Sequence, residues 1–326
     1  VPYWATALIL FVFITTVNLA QVAVYGELEF WFSIIKVVAI IAMILFGSYL
    51  LFSGNGGEEA RLSNLWALEG GFMPHGVQGF LMAMVFIMFS FGGLELIGIA
   101  AAETDDPSHT IPRATNQVIY RILIFYIGAL AVLLSLMPWM QMTKEVTPFV
   151  MVFSTINQNV IAHVLNAIVL TAALSVYNSG VYSNSRMLFG LAAQGNAPKM
   201  MMRLNSKGVP VNAVLFSALI TGTCVALNYF MPEGAFQFLM ALVVSALVVN
   251  WFMISFAHLK FRYAKIKEGI EPKFKAFWFP MGNIICLAFF VMILGVMLFI
   301  DGINISVYLI PAWLIVLAIG YKLSRK

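Results

Sequence analysis

The chain has 326 residues, 62% of them hydrophobic and only 10% charged, with a mean hydropathy of +0.94. No soluble domain hides that much apolar surface, and successive apolar runs of membrane-crossing length, separated by charged segments, predict an all-α, polytopic helical membrane protein. The net charge of +4 does not point to nucleic acid, because the basic residues gather in a few loops. Cys224 and Cys286 both lie inside apolar runs and suggest neither a disulfide framework nor a metal site.

Nine spans are expected, at about 3–24, 30–52, 79–101, 121–140, 161–191, 210–231, 235–257, 277–300 and 305–321. The first begins almost at Val1, with no charged leader before it, so it is not a signal peptide. The absence of an initial methionine leads us to expect that the true beginning is missing. Glu27 and Glu29 precede the second span and read as solvated loop carboxylates.

Lys36 sits about six residues into that second span, in Trp31-Phe32-Ser33-Ile34-Ile35-Lys36-Val37-Val38. A lysine held in hydrocarbon loses stabilisation of its charge and becomes able to exchange a proton near neutral pH. Six residues cover only about 9 Å, however, so a lysine stem also reaches the interface by snorkelling. Position alone leaves both roles open. The following stretch from Ser53 to Gln78, with Gly54, Gly56, Gly57, Glu58 and Glu59, reads as a flexible outer connection.

The third span contains Phe89-Ser90-Phe91-Gly92-Gly93-Leu94-Glu95-Leu96. Two adjacent glycines are poor helix formers and a carboxylate is expensive in hydrocarbon, yet both fall at membrane depth. A discontinuous helix is predicted, its freed N–H and C=O groups available to a small ligand. Close packing through small residues is the plainer reading, but packing does not call for Glu95. That carboxylate can carry a proton, bind a substrate ammonium, or accept backbone N–H groups that hold the break together. Phe89 and Phe91 flank the break, as covers for a ligand or as ordinary packing.

Glu103-Thr104-Asp105-Asp106-Pro107 closes the broken span, and Pro112 suits a first helical turn. Glu103 is either a solvated terminus or part of a cytoplasmic gate. The fifth span carries a polar stripe in which Ser175, Asn178 and Ser179 share a face by their spacing. Such a stripe lines a solute path or glues helices together. Arg186, further along, is expected to pair near the cytoplasmic end.

Fourteen Lys and Arg residues fall in alternate loops: Arg113 and Arg121; Lys199, Arg203 and Lys207; Lys260, Arg262, Lys265, Lys267, Lys273 and Lys275; Lys322, Arg325 and Lys326. The opposite loops carry only Arg61 and Lys144, which puts the C-terminus in the cytoplasm and Val1 outside. His75, His109, His163 and His258 show no metal-ligand spacing. No phosphate-cradling loop, nucleophile elbow or catalytic triad stands out, so neither ATP-driven work nor enzyme catalysis is expected.

The motif from Phe89 to Leu96, Ala102-Glu103-Thr104-Asp105, Ile111-Pro112-Arg113-Ala114-Thr115-Asn116, Leu174-Ser175-Val176-Tyr177-Asn178-Ser179, Asn184-Ser185-Arg186-Met187-Leu188-Phe189-Gly190 and Gln194-Gly195-Asn196-Ala197-Pro198-Lys199 resemble bacterial amino acid permeases of the amino acid-polyamine-organocation superfamily. Tyr177-Asn178-Ser179-Gly180-Val181-Tyr182-Ser183-Asn184 and Leu239-Met240-Ala241-Leu242-Val243-Val244 look most like the aromatic amino acid and phenylalanine permeases.

The resemblance implies a twelve-span fold of two inverted five-helix repeats, here lacking its first three helices. Residues 1–58 would be the last two helices of the first repeat, 77–258 the second repeat with its first helix broken at 89–95, and 277–326 two accessory helices and a cytoplasmic tail. It implies proton-coupled import of phenylalanine, tyrosine and tryptophan across a bacterial inner membrane, with no cofactor beyond the proton. Lys36 would carry that proton, with Ser175 and Asn178 facing it. Phe89, Ser90, Phe91, Gly92, Gly93, Glu95 and Ser179 would bind substrate, and Glu103 and Arg186 would form the gate. The expected partners are the amino acid and the lipid bilayer, with the protein acting as a monomer. The first helix of the family, which supplies half of its carboxylate site, is absent, so this stretch by itself is not expected to transport. A permease for another amino acid, a proton-translocating subunit of a membrane enzyme, and a nutrient sensor that only reports occupancy are the alternatives.

Overall fold

The computed structural model describes residues 3–20, 22–100, 106–142, 160–231, 234–272 and 275–324. Among them there is no strand, only an isolated bridge between Leu204 and Pro210. The helices are α1 (Tyr3–Ala20), α2 (Val22–Ser53), α3 (Gly76–Ser90), α4 (Leu96–Ala100), α5 (Pro107–Arg121), α6 (Ala129–Leu136), α7 (Val160–Ala193), α8 (Val211–Phe230), α9 (Ala235–Lys267), α10 (Met281–Met297) and α11 (Asn304–Ser324). A π-helical stretch, Ile122–Gly128, joins α5 to α6.

Five of the described helical rods are long and apolar enough to cross a membrane, and four shorter apolar helices accompany them. Together they fall, in order, on the nine expected spans. The chain is a multi-pass, all-α membrane protein. Its outward-facing residues agree with a lipid environment: Leu45 is 67% exposed, Phe52 75% and Phe299 89%. In water such a surface would drive aggregation.

Several boundaries differ from expectation for local reasons. Helix α2 starts at Val22 rather than near residue 30, so Glu27 and Glu29 lie inside it. It ends where Gly54 takes φ +76 and the Gly56 N–H returns to the Leu50 carbonyl at 3.0 Å. Helix α9 runs ten residues past the expected span, to Lys267. There Gly269 at φ +71 closes it, with Ile270 N–H on the Lys265 carbonyl at 2.9 Å and Gly269 N–H on the Ile266 carbonyl at 3.1 Å. Pro107, not Pro112, occupies the first position of α5, and Pro112 sits inside the helix. The stretch after Ser53 is not the flexible connection expected: Arg61 N–H and Asn64 Nδ2 both bond the Ser135 carbonyl, at 2.8 and 3.1 Å.

The chain divides into two compact units. Unit 1 comprises 1–74, 114–193 and 199–221, and has two apolar cores. Met43, Leu50, Ala129, Leu133 and Leu136 pack α2 on α6, while Ile14, Val181, Val209 and Val214 tie α1 to α7 and the start of α8. Unit 2 comprises 75–113, 194–198 and 222–326. Its core unites Val85 and Met88 of α3, Ala241, Val244 and Val248 of α9, Ile293 and Met297 of α10, and Ile300 and Ile303.

Candidate functional site

In unit 1 a polar cluster forms where α2 meets α7. The near-continuous apolar sequence of α2, free of proline, carries the helix through Glu29 and Lys36 without interruption. Seven residues are close to two helical turns, so these two charges share a face. Lys36 lies about 21 Å along the axis from Val22 rather than the 9 Å that the expected boundary gave.

Across from them, α7 presents Ser175 and Asn178, which are 1% and 0% exposed. Lys36 Nζ donates to Ser175 Oγ at 2.6 Å and stands 3.7 Å from Glu29 Oε1. Ser175 Oγ in turn donates to Glu29 Oε1 through a short hydrogen bond. Asn178 Nδ2 reaches Glu29 Oε2 at 3.5 Å, and Asn178 Oδ1 accepts from Asn18 Nδ2 of α1 at 2.8 Å. Ser175 and Asn178 thus both direct hydrogen-bond donors at the Glu29 carboxylate, and Lys36 reaches the same serine. The ion pair is partly buried, its side chains 29% and 21% exposed, and the buried Ser175 and Asn178 take up part of its hydrogen-bonding capacity.

Lys36, Ser175 and Asn178 are thus brought together as the sequence suggested. Glu29 is a correction: the expected loop carboxylate is the partner of Lys36. Asn18 was also missed. The signal for Glu29 was its seven-residue spacing from Lys36, and no such signal existed for Asn18. Ser179 lies one position further along α7, its hydroxyl accepting from Tyr25 Oη at 3.5 Å. Tyr25 stacks on Tyr182 with ring centroids 3.8 Å apart and planes 3° from parallel, and the Arg186 guanidinium lies 3.8 Å over the Tyr182 ring. Arg186 therefore meets an aromatic face. Its proposed gate partner Glu103 lies outside the described residues.

In unit 2 the helix breaks where the glycine pair predicts. Helix α3 stops at Ser90 and α4 begins at Leu96, with Gly93 at φ +100 between them. The Glu95 carboxylate folds back to accept the Gly93 N–H at 3.2 Å and the Trp251 indole N–H of α9 at 3.1 Å, both through Oε2. Of the three roles open to Glu95, this arrangement displays the third, bracing the break. Gly92 lies close to α9: a Cβ there would meet Leu247 Cδ1 at 3.0 Å and the Phe89 carbonyl oxygen at 3.2 Å. Phe91 and Glu95, with Met88, Trp251, His258 and Phe290, line an apolar groove of about 930 Å³ within this unit. Phe89 and Ser90 are exposed beside the break.

Apolar helices that hold a partly buried ion pair in one place and break around two glycines in another fit a membrane protein of the solute-carrier kind, since ionisable groups and irregular backbone at membrane depth mark solute and ion paths. The chain belongs to the amino acid permease family, whose pattern matches residues 1–326. It is 61% identical over all 326 residues to the aromatic amino acid transport protein AroP of Escherichia coli K12, and 58% identical to AroP of Salmonella typhimurium LT2. A further relative, the uncharacterized transporter YdgF of Bacillus subtilis 168, is 38% identical over 327 aligned positions. In each case the whole of this chain is matched, and it spans 71% of the relative's length. The relatives are transport proteins and not enzymes, in line with the expectation from sequence.

Proposed function

We propose that this chain is part of a secondary transporter that imports phenylalanine, tyrosine and tryptophan together with protons. The observation that carries the substrate class is the 58–61% identity, along the entire chain, to proteins named for aromatic amino acid transport. The amino acid binds at the break between α3 and α4, its amino and carboxylate groups on backbone freed around Phe89, Ser90, Gly92 and Gly93, its ring beside Phe91. Lys36 gains and loses the coupling proton, and its charge state biases which side of the carrier is open. The protein sits in the bacterial inner membrane, its C-terminus in the cytoplasm, and acts as a monomer with no cofactor beyond the proton.

The test is uptake of labelled phenylalanine by proteoliposomes holding the full-length permease, with and without an inward proton gradient. Gradient-driven uptake blocked by unlabelled Tyr and Trp, but not by Leu, Lys or GABA, is expected. A different amino acid driven in place of phenylalanine would overturn the substrate and keep the family. Lys36→Ala is expected to abolish accumulation against a gradient; if it still concentrates phenylalanine, Lys36 is not the coupling group.

A further inference from the structure

Glu29 is a carboxylate in the body of an apolar helix, where an ionisable side chain is costly and marks function. Its geometry toward Lys36 is indirect. The ammonium stands 3.7 Å from Oε1 and gives its hydrogen bond to Ser175 Oγ, at 2.6 Å. Ser175 then gives its own hydrogen to Glu29. The hydroxyl accepts from one neighbour and donates to the other, which is the polarity that a proton relay needs.

We infer that Glu29 receives the coupling proton from Lys36 through Ser175 and passes it toward the cytoplasm; this rests on the proton-symport reading. An Nζ–H bond of Lys36 breaks as Ser175 Oγ takes that proton, and the Ser175 O–H bond breaks as Glu29 Oε1 takes the other. Ammonium and carboxylate become amine and carboxylic acid, the hydroxyl is regenerated, and the pair stays neutral throughout. The acid then releases its proton to water on the cytoplasmic side. Glu29 lies seven residues before Lys36, about 10 Å nearer the start of α2, which the loop charges place at the cytoplasmic face. The relay therefore runs in the direction of import.

The surroundings leave this relay its own charges. On α2, Glu27 accepts the Trp31 indole N–H at 3.0 Å on the exposed surface, and Tyr25 stacks on Tyr182. Helix α7 adds His163, Tyr177, Tyr182 and Arg186, and the π-helical stretch adds Tyr126. Helices α1 and α6 contain no Asp, Glu, Lys, Arg or His. Asn178, fully buried and fixed by Asn18, holds the second carboxylate oxygen in place.

Two readouts on the reconstituted full-length permease separate a relay from a brace. One is net uptake of labelled phenylalanine down a proton gradient, which requires proton release inside. The other is exchange of labelled for unlabelled phenylalanine at equal pH, which a carrier completes without releasing its proton. Glu29→Gln and Ser175→Ala are each expected to lower net uptake by about tenfold or more beyond any loss of exchange, and Ser175→Thr, which keeps the hydroxyl, to restore the original ratio. Equal losses of net uptake and exchange in the Glu29→Gln and Ser175→Ala proteins, or a Glu29→Gln protein that accumulates phenylalanine normally, overturns the relay. Absence of any gradient-driven uptake by the unsubstituted protein overturns the symport reading itself, a result distinct from the others.

Discussion

Gly93 stands at φ +100 in a span that would otherwise run through as helix, a backbone state that a side chain strains. A Cβ at this position meets only Leu96 Cδ1, at 3.8 Å, so space is available and the cost is conformational. Gly93→Ala is expected to lose about 1–3 kcal/mol and to lower the thermal unfolding midpoint of the purified protein. An unchanged midpoint would mean that the break does not depend on that backbone state. Two residues on, Glu95 satisfies two donors with one oxygen. Glu95→Ala strands the Gly93 and Trp251 N–H groups and is expected to destabilise by about 1–3 kcal/mol, whereas Glu95→Gln keeps an acceptor and loses far less. Measuring phenylalanine affinity in the same two proteins separates bracing from charge recognition: if Glu95→Gln folds normally and loses binding, the carboxylate also meets the substrate ammonium.

At the scale of elements, α2 and α6 approach closely because Gly47 has no side chain. A Cβ there would lie 2.4 Å from Val132 Cγ1 and 3.1 Å from Leu136 Cδ1. Valine is stiff at its branch point and cannot swing clear. Gly47→Ala is expected to cost about 1–3 kcal/mol by overpacking, read as a fall in unfolding midpoint. Gly190→Ala in α7, with nothing within 4 Å of its Cβ, is the contrast: it is expected to leave the midpoint unchanged or raise it, by up to about 1 kcal/mol of helix propensity. The existence and order of the helices were legible because each is a long apolar run, and the break was legible because Gly92, Gly93 and Glu95 contradict such a run. The start of α2 was not legible. Glu27 and Glu29 look like solvent-facing punctuation, and only the tertiary contact with Ser175 and Asn178 shows that the helix carries Glu29 inward, while Glu27 stays exposed. The end of α9 was equally obscured, since a helix leaving the membrane turns polar while its backbone continues unbroken to the Gly269 cap. Nor did residues 53–78, rich in glycine, announce the hydrogen bonds from Arg61 and Asn64 that pin them to Ser135.

At the scale of the whole molecule, orientation decides whether the Lys36 to Glu29 direction is inward or outward. Fourteen lysines and arginines in alternate loops against two in the others is a strong asymmetry, and the positive-inside tendency leads us to expect those loops in the cytoplasm. The structure adds a physical form to it: the last turns of α9 carry Lys260, Arg262, Lys265 and Lys267, and α11 ends with Lys322 near its terminus. All of these belong to the positive set, so by the same rule the end of α9 and the tail are expected on one side of the membrane. With an affinity tag after Lys326, protease is expected to remove the tag from inside-out vesicles and to leave it intact in right-side-out vesicles. A cysteine introduced at Asn55, after α2, is expected to give the opposite pattern with an impermeant thiol reagent, reacting only in right-side-out vesicles. The reverse result at both positions would invert the molecule, put Glu29 on the outer side of Lys36, and turn the proposed relay into an entry path for the proton rather than its exit.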